Sequence, residues 1–334
     1  MSDQTPGPEF TIVIPTRNRP VDFERALQSV LTQSCRAFEV VVVNDGSEDR
    51  HLQAYQRIEQ ASPPHVRYLH LMQRARGHGH CFARNQAVEV ARGRFIGFLD
   101  DDDYWIDPDF LSRAQAALQQ TDADFYVANQ AALSHDGKLV QGLWLAGLRQ
   151  CLPASVRQGQ AVYPVTVAQL LLADGFAHMN CWAIRKSLFL AAGGMDENLR
   201  YEPDLDIYMR ALDKAAVILH DEHVVALHNI PDPGKSANAS TTNGKIQKIL
   251  FQLNTADKHI LHLQRPVLLQ RARLRKGYLL KNLTDALAQQ QRHADAYFYA
   301  RQALAVLPTP GWLLRTIALA FKAWVRPGRP PAAA

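Results

Sequence analysis

A run of four aspartates is the segment of this sequence whose residue types and spacing point most directly to chemistry. Asp100 to Asp103 directly follow the apolar residues 95–99. Carboxylates crowded behind a buried strand repel one another, so they destabilise a fold unless a cation or donor groups neutralise them. A divalent ion that bridges a diphosphate needs about two carboxylates on a tight loop, whereas a helix cap needs one. The run predicts an Mg²⁺ or Mn²⁺ site that neutralises a departing nucleoside diphosphate, with an acidic helix start at Asp107 and Pro108 as the alternative.

Two further polar clusters follow apolar, β-branched runs that have the pattern of buried strands. Residues 15–19 follow the run 10–14, and residues 44–47 follow the run 38–43. Residues 20–33 between them have apolar side chains at helical spacing. Strands alternating with helices predict an α/β fold with a mostly parallel sheet, in which ligands collect at the carboxyl ends of strands. We therefore expect the three polar clusters to share one edge of the sheet.

The ordered set of motifs resembles the family 2 glycosyltransferases, which have the GT-A fold. The motifs are Ile14-Pro-Thr-Arg-Asn18, Val43-Asn-Asp-Gly-Ser47, Ala83-Arg-Asn85, Phe98-Leu-Asp-Asp-Asp-Asp103 and Glu202-Pro-Asp-Leu-Asp206 with Arg210. The resemblance covers roughly residues 9–230. It implies a Rossmann-like catalytic domain and an inverting, metal-dependent transferase. The implied reaction moves a sugar from a nucleoside-diphosphate sugar to a hydroxyl of a glycan or glycolipid acceptor, in the synthesis of bacterial surface polysaccharide or lipopolysaccharide.

The resemblance also implies which side chains bind the donor. Asp45 matches the residue that accepts a hydrogen bond from the donor's base. Arg84 matches a basic residue near the ribose and phosphates, and an arginine fork suits phosphate oxygens. The implied donor-binding residues are Pro15, Thr16, Arg17, Asp45, Arg84, Asp100 and Asp101.

For the metal, the resemblance implies the two ends of the DXD motif. Asp102 is the expected direct ligand, with Asp100 nearer the ribose and Asp103 supporting. His228, at the end of an apolar run, is the expected third ligand. The alternative for His228 is a structural or merely exposed histidine.

An inverting transfer needs a carboxylate that removes the proton of the acceptor hydroxyl. Glu202, Asp204 and Asp206 are the candidates, and the spacing from Arg210 favours Asp204, with Glu202 as the second catalytic residue. The alternative is that these acids begin a helix, where the helix dipole favours them. Asp206 and Trp182 are expected to contact the acceptor.

Charge divides the chain into an acidic body and a basic tail. The 334 residues are 47% hydrophobic and 21% charged, which excludes disorder, collagen and a simple coiled coil and allows about two domains. From residue 245 onward there are 15 Lys and Arg against 3 Asp and Glu, compared with 22 against 29 before it. The tail is rich in Leu, Ala, Gln and Arg. We predict a catalytic domain over residues 1–240 and a basic α-helical region over 241–334.

The basic tail predicts contact with an anionic membrane surface. Residues 312–325 form an amphipathic pattern with a tryptophan near each end, beside the basic residues Arg315, Lys322, Arg326 and Arg329. Packing on the tail's own helices is the alternative. Nucleic acid is not expected, because no binding module or interleaved aromatic pattern is present. The amino terminus lacks a signal-peptide pattern and the four cysteines form no CxxC pair, which predicts a cytoplasmic protein peripheral to the inner face of the membrane.

Two other functions are weighed against the transferase. A sugar-1-phosphate nucleotidyltransferase shares the nucleotide-binding logic, but residues 15–18 lack the glycines that open such proteins. A non-catalytic adaptor would use only the basic tail. The complete acidic clusters disfavour it.

Overall fold

The structure is a computed structural model that describes residues 7–140, 144–145, 147–157, 159–232 and 243–325. This part of the chain divides into two compact units. The first holds residues up to 197 together with 203–232, and the second holds residues 198–202 together with 243–325. The predicted domain boundary at residues 240 and 241 lies outside the described residues, as do Arg326 and Arg329.

A sheet of mixed but mostly parallel strands forms the first unit. The strands are β1 (Phe10–Thr16), β2 (Phe38–Asn44), β3 (Val66–His70), β4 (Phe95–Phe98), β5 (Tyr104–Trp105), β6 (Phe125–Leu133), β7 (Leu139–Val140), β8 (Val162–Val165), β9 (Trp182–Arg185) and β10 (Ile218–Asn229). Their order is β3-β2-β1-β4-β9-β6-β10-β5, with β7 beside β6 and β8 beside β10. β1 and β2 are buried along their whole length, and a parallel strand covered on both faces is mainly apolar. Two buried polar side chains within them, Thr11 and Glu39, satisfy each other, because the Thr11 hydroxyl donates to Glu39 Oε1 at 2.8 Å.

Helices flank these strands, and the longer ones bury one apolar face each. They are α1 (Pro20–Leu31), α2 (Asp49–Ala61), α3 (His80–Val90), α4 (Phe110–Thr121), α5 (Leu148–Cys151), α6 (Ala154–Arg157), α7 (Val167–Leu170), α8 (Lys186–Ala191) and α9 (Pro203–Lys214). In α1 the buried residues are Phe23, Ala26, Leu27 and Val30, the spacing from which the helix is predicted.

The direction of β9 brings an additional segment to the site. β9 runs antiparallel to both β4 and β6. The 3₁₀ turn Met179–Cys181 precedes β9 and therefore lies where the parallel strands end. The mostly apolar residues 179–184 have a pattern typical of a strand, but the structure forms the turn over the first three of them and begins β9 at Trp182.

The second unit consists of packed helices. They are α10 (Lys245–His262), α11 (Pro266–Gln289), α12 (His293–Val306) and α13 (Pro310–Val325). Leucines and alanines form its core, and the indole N–H of Trp312 donates to the carbonyl of Ala300 at 3.1 Å. Within the described residues, none of the helices has the length and apolar character needed to cross a membrane.

The buried histidine of β10 makes the stability of the first unit depend on pH. His220 is fully buried beside Tyr163, and burial lowers its pKa to about 4. The unfolded chain takes up this proton near pH 6.5, so acid favours unfolding. The His220→Phe variant keeps the ring contact but cannot titrate. Between pH 7 and 4.5 the wild type should lose about 2 to 3 kcal/mol more unfolding free energy than the variant.

Urea titrations of both proteins at the two pH values test this expectation. His65→Phe, at an exposed histidine, is the matched control and should keep the wild-type pH dependence. Parallel pH profiles for wild type and His220→Phe would show that His220 is not responsible.

Candidate active site

The three polar clusters meet at the carboxyl ends of β1, β2 and β4, as predicted. The Thr16 hydroxyl donates to Asp101 Oδ2 at 2.9 Å and accepts from the Tyr55 hydroxyl at 2.7 Å. The Asp45 backbone N–H donates to the Thr16 carbonyl at 2.9 Å. Pro15 lies in β1 beyond the last residue paired with β4, so its missing N–H breaks no bond on that side.

Asp45 holds a loop of residues 74–79, which we call the glycine loop. Its two carboxylate oxygens accept the backbone N–H groups of His78 at 2.7 Å and Gly79 at 2.9 Å. Gly77 has φ of 67°, and a Cβ there would lie 2.5 Å from Asp45 Oδ2, so only glycine fits beside the carboxylate. The side chain expected to bind the donor's base therefore also orders the loop next to it. A carboxylate has further lone pairs available for a third donor.

Arg17 holds the other end of the glycine loop. Its guanidinium donates to the carbonyls of Arg74 at 3.1 Å and Ala75 at 3.3 Å. The Arg17 Nε is buried and has no hydrogen-bond partner within the described residues. The Nε–H of Arg17 can therefore donate to an anion or another acceptor.

Arg84 on α3 forms a buried ion pair with Asp100, the first aspartate of the run. Burial raises the pKa of Asp100, but the charge and hydrogen bond of Arg84, together with His178 and His80, outweigh burial and hold the pKa well below its usual range. Like Arg17, Arg84 has a buried Nε without a partner in the part of the chain that the structure describes. Asn85, next in the helix, fixes α3 through both backbone groups of Met195.

Asp101 and Asp102 share one arginine. Arg19 lies 2.7 Å from Asp102 Oδ2 and 3.4 Å from Asp101 Oδ1. Burial and repulsion from Asp102 raise the pKa of Asp101 to about 7. Burial and repulsion from Asp103 and Asp100 raise the pKa of Asp102 to about 6. A single arginine therefore does not offset the crowding, and a bound cation would relieve it.

Asp103 is fully buried and serves as a hub for hydrogen bonds. It accepts from Asn180 Nδ2 at 2.5 Å, from His228 Nδ1 at 2.8 Å and from the Asn229 backbone N–H at 2.8 Å. Although burial opposes it, the hydrogen bond and charge of Asp103 raise the pKa of His228 to about 9. The ring nitrogen of His228 that remains is Nε2.

The donor set fits a hard divalent cation only in part. Within the described residues, no three His, Cys, Asp or Glu side chains are grouped to hold a metal ion. The three-ligand set of Asp100, Asp102 and His228 is therefore not preformed, because Asp100 pairs with Arg84 and His228 Nδ1 with Asp103. Mg²⁺ and Mn²⁺ are commonly held by one or two carboxylates plus substrate phosphates, and the crowded oxygens suit that arrangement. A carboxylate on the second nitrogen is also usual for a ligating histidine.

The two candidate catalytic acids have different surroundings. Asp204 lies in the first turn of α9, partly exposed, with Oδ2 3.5 Å from His178 Nε2. Glu202 has φ of 52°, and both its oxygens are engaged, one by Gln252 at 2.6 Å and the other by Arg275. Asp204 is therefore better suited than Glu202 to accept a proton.

Both predicted acceptor contacts are wrong. Asp206 is fully buried, and its Oδ2 accepts two bonds from Arg210 at 2.9 and 2.5 Å. Trp182 is also fully buried and packs against Phe98 and Phe125. Neither side chain can touch a bound acceptor, because no solvent-facing surface of it remains.

Several residues of the site do not follow from the sequence motifs. Arg19 stands next to the first motif, and its position was a usable signal, although its acidic partners were not evident. Asn180 reaches both the Asp100 backbone N–H at 3.0 Å and Asp103. His178 contacts Asp204, and its ring packs beside Trp144 at 5.8 Å. Asn180 and His178 come from a segment whose spacing predicts no shared chemistry, whereas Arg19 belongs to the first polar cluster.

The chain is similar to known proteins both in sequence and in structure. The family model described as Glycosyl transferase family 2 matches residues 11–189. The chain is 28% identical over 134 residues to the GalNAc(5)-diNAcBac-PP-undecaprenol beta-1,3-glucosyltransferase of Campylobacter jejuni. The matched segment covers 40% of this chain and 41% of that protein. The chain spans only 26% to 50% of the length of three other curated relatives that it matches.

Two solved structures share the fold. S. aureus TarS 1-349 in complex with UDP-GlcNAc has a TM-score of 0.63 and 18% identity, covering 93% of this chain and 83% of that one. The mannosyltransferase PcManGT from Pyrobaculum calidifontis, in complex with GDP-Man and Mn²⁺, has a TM-score of 0.59 and 19% identity, covering 96% and 87%. The predicted fold class, a mostly parallel α/β sheet followed by a helical region, is confirmed.

The contact between Asp45 and the glycine loop gives a test of local order. Asp45→Asn leaves one oxygen for two backbone N–H groups and turns an amide N–H toward the other. The backbone amide of His78 or Gly79 should then exchange its hydrogen about ten to a hundred times faster, since an unmet buried donor costs roughly 1 to 3 kcal/mol. Hydrogen exchange followed by mass spectrometry or NMR measures this. Asp49→Asn, an exposed site, is the control, and unchanged exchange in Asp45→Asn would rule out the clamp.

Proposed function

Because the chain belongs to glycosyl transferase family 2 and has the GT-A fold, we propose that it transfers a sugar from a nucleoside-diphosphate sugar to a hydroxyl acceptor with inversion. The observation that carries the proposal is the run Asp100 to Asp103 at the end of β4. Its buried carboxylates are crowded enough to raise the pKa of Asp101 and Asp102, although two arginines lie among them. Such a charge arrangement suits a substrate that arrives with a cation and leaves as a diphosphate.

The donor is a nucleoside-diphosphate sugar bound where β1, β2 and α3 meet the acidic run. Asp45 receives the base, with Pro15, Thr16 and Arg17 lining the nucleotide pocket. Arg84 binds the ribose and phosphates, with Asp100 and Asp101 completing the donor site. The buried Nε groups of Arg17 and Arg84 have no hydrogen-bond partner among the residues that the structure describes, and this supports the assignment because buried donors are normally paired with an acceptor. The solved neighbours hold UDP-GlcNAc and GDP-Man, which are donors of this class.

Asp102 would hold a divalent cation, Mn²⁺ or Mg²⁺, together with the phosphates of the donor, with Asp100 and His228 as the further ligands. The PcManGT structure is a complex with GDP-Man and Mn²⁺, which supports a cation of this kind. The ion would supply positive charge to the leaving diphosphate. Asp102 binds Arg19 in the structure, so the ion and Arg19 compete for the same carboxylate.

Asp204 acts as the general base. It takes the proton of the acceptor hydroxyl while that oxygen forms a bond to the anomeric carbon of the donor sugar. The bond from the anomeric carbon to the diphosphate oxygen breaks at the same time, and its electron pair leaves with the nucleoside diphosphate. Arg84 helps to stabilise that departing charge. Glu202 is the alternative base, but its oxygens already bind Gln252 and Arg275.

The acceptor is a glycan or glycolipid of bacterial surface polysaccharide or lipopolysaccharide synthesis. One relative is named for action on a sugar chain linked to undecaprenol through a diphosphate, which supports a lipid-linked acceptor. Family membership does not support the sugar-1-phosphate nucleotidyltransferase or the adaptor.

The second unit contacts an anionic membrane, at the inner face of the cytoplasmic membrane, through α13. Trp312 and Leu319 face its own core, whereas Leu314, Phe321 and Trp324 are 69%, 63% and 79% exposed. An apolar face this open on a strongly basic unit is typical of a helix that lies in a lipid headgroup layer. Because basic residues are in excess from residue 245 onward, the lipid expected to bind this face of α13 is anionic.

Nucleotide binding and turnover together test the enzymatic proposal. Calorimetry with UDP, GDP, dTDP and CDP, with and without Mn²⁺, should find one nucleotide that binds tightly only with the metal. Asp102→Asn should weaken that binding by about tenfold or more, or roughly 1.4 kcal/mol. Asp204→Asn should leave binding unchanged but lower the release of nucleoside diphosphate from the matching sugar nucleotide by about 10² to 10⁴.

Asp109→Asn, at an exposed aspartate after the run, is the control and should behave as wild type. If none of the four nucleotides binds, the donor proposal is wrong. Wild-type turnover in Asp204→Asn would remove Asp204 from its role.

Vesicle binding tests the membrane proposal. The full chain should cosediment with vesicles of phosphatidylcholine and phosphatidylglycerol but not with phosphatidylcholine alone, and salt should weaken the binding. Replacing Phe321 and Trp324 by Ser should lower the affinity for the vesicles about 100-fold, because burying each of these side chains in the membrane contributes about 1.5 kcal/mol or more of binding free energy. Leu261→Ser, at an exposed leucine of α10, is the control. Equal binding by the double variant would exclude α13 as the contact.

A further inference from the structure

His178 lies between the candidate base and two aromatic rings. Its side chain is 10% exposed, and its Nε2 is 3.5 Å from Asp204 Oδ2. Its ring centre is 5.8 Å from that of Trp144 and 5.5 Å from that of His228. The contact with Asp204 is therefore made by a ring that is packed by neighbours.

The backbone next to His178 determines which of its nitrogens carries the proton. His178 Nδ1 accepts the backbone N–H of Asn180 at 3.4 Å, in the first turn before β9. A ring nitrogen that accepts a hydrogen bond carries no hydrogen, so the neutral ring is protonated at Nε2. Nε2 is the atom nearest to Asp204, and its N–H donates toward the carboxylate. Catalytic hydrogen bonds are often long before substrate binds and shorten in the complex.

The packing around His178 limits rotation of its ring. Trp144 has a backbone φ of 52°, and its backbone lies against Gly175. A Cβ on residue 175 would come within 2.6 Å of Trp144 Cα, so glycine is needed for this approach. Trp144 in turn packs edge to face with His228 at 5.4 Å. The two rings thus hold the imidazole in one orientation.

We propose that His178 is a positioning residue that orients Asp204 for proton abstraction, an inference that rests on the proposed function. The Nε2–H of His178 holds Oδ2, which leaves Oδ1 to take the proton of the acceptor hydroxyl. Among the described residues, Asp204 Oδ1 makes no hydrogen bond, and the ion-pair contact of Asp204 is made by Oδ2. A base with one fixed oxygen needs no reorientation when the acceptor arrives, which is the benefit of preorganisation.

Two substitutions separate the hydrogen bond from the packing. His178→Phe keeps a ring between Trp144 and His228 but has no donor, and His178→Gln provides an N–H at a similar reach but no ring. His178→Phe should lower kcat for release of nucleoside diphosphate from the sugar nucleotide by about 10- to 100-fold, without changing KM or the metal-dependent binding of the nucleotide. His178→Gln should recover most of kcat. His65→Phe is the matched control.

A double-mutant cycle tests whether His178 acts through Asp204. In the Asp204→Asn background, His178→Phe should have no further effect, because the group it positions is already absent. Additive losses in the cycle, or weaker nucleotide binding in His178→Phe, would overturn the proposal and indicate a role in the donor site. Wild-type kcat in His178→Phe with an inactive Asp204→Asn would also overturn it.

A measurement without turnover keeps this inference separate from the proposed function. The ¹⁵N chemical shifts of labelled histidine, with His178 identified by its absence in His178→Phe, report the tautomer at neutral pH. The proton should be on Nε2 in the wild type. A proton on Nδ1 would overturn the inference even if Asp204 is the base. If Asp204→Asn keeps wild-type turnover, the proposed base is wrong, and the positioning role fails with it whatever the tautomer.

Discussion

Repulsion among four carboxylates at the end of β4 is the constraint on which the rest of the catalytic unit depends. Each carboxylate has at least one partner that is distant from the run in sequence. The partners are Arg84 for Asp100, Thr16 and Arg19 for Asp101, Arg19 for Asp102, and Asn180, His228 and Asn229 for Asp103. Breaking one buried pair leaves an uncompensated charge, which is far more costly than losing an exposed one. The acidic run thus requires residues next to β1, β9 and β10 to reach the end of β4. β1 and β9 pair with β4 directly, and β10 comes close because it pairs with β5, which follows the run.

The glycine loop illustrates how the fold prepares the site in advance. Asp45 and Arg17, from the ends of two adjacent strands, hold opposite ends of this loop through its backbone. A segment of residues 74–79 without regular structure would otherwise lose conformational entropy when a ligand bound. Because folding has already restricted the glycine loop, a ligand that contacts the loop would bind with a smaller loss of conformational entropy and therefore more tightly.

Sequence and structure agree where the arrangement follows from local pattern, and differ where it follows from long-range packing. The shared edge of the three polar clusters is predictable because parallel strands end together. The partner of Asp102 is not, since Arg19 reaches it across 83 positions in the chain. Trp182 and Asp206 show the same limit: an aromatic residue near a polar turn, or an acid at a helix start, has the same spacing whether it faces solvent or the core. Only the packing of β9 and α9 decides that both side chains are buried.

The reversed direction of β9 has a consequence for how the site can evolve. Since β9 begins where its neighbours end, the chain leaves the site edge after β6 at Leu133 and returns to it at His178. Within the described part of this excursion, β7 pairs with β6 and β8 pairs with β10, and the connections between these elements can change length at a small cost in loop-closure entropy. The three polar clusters and α3 take no part in the excursion. Descendants of such a gene can therefore vary one flank of the site while inheriting the strand ends that carry the polar clusters.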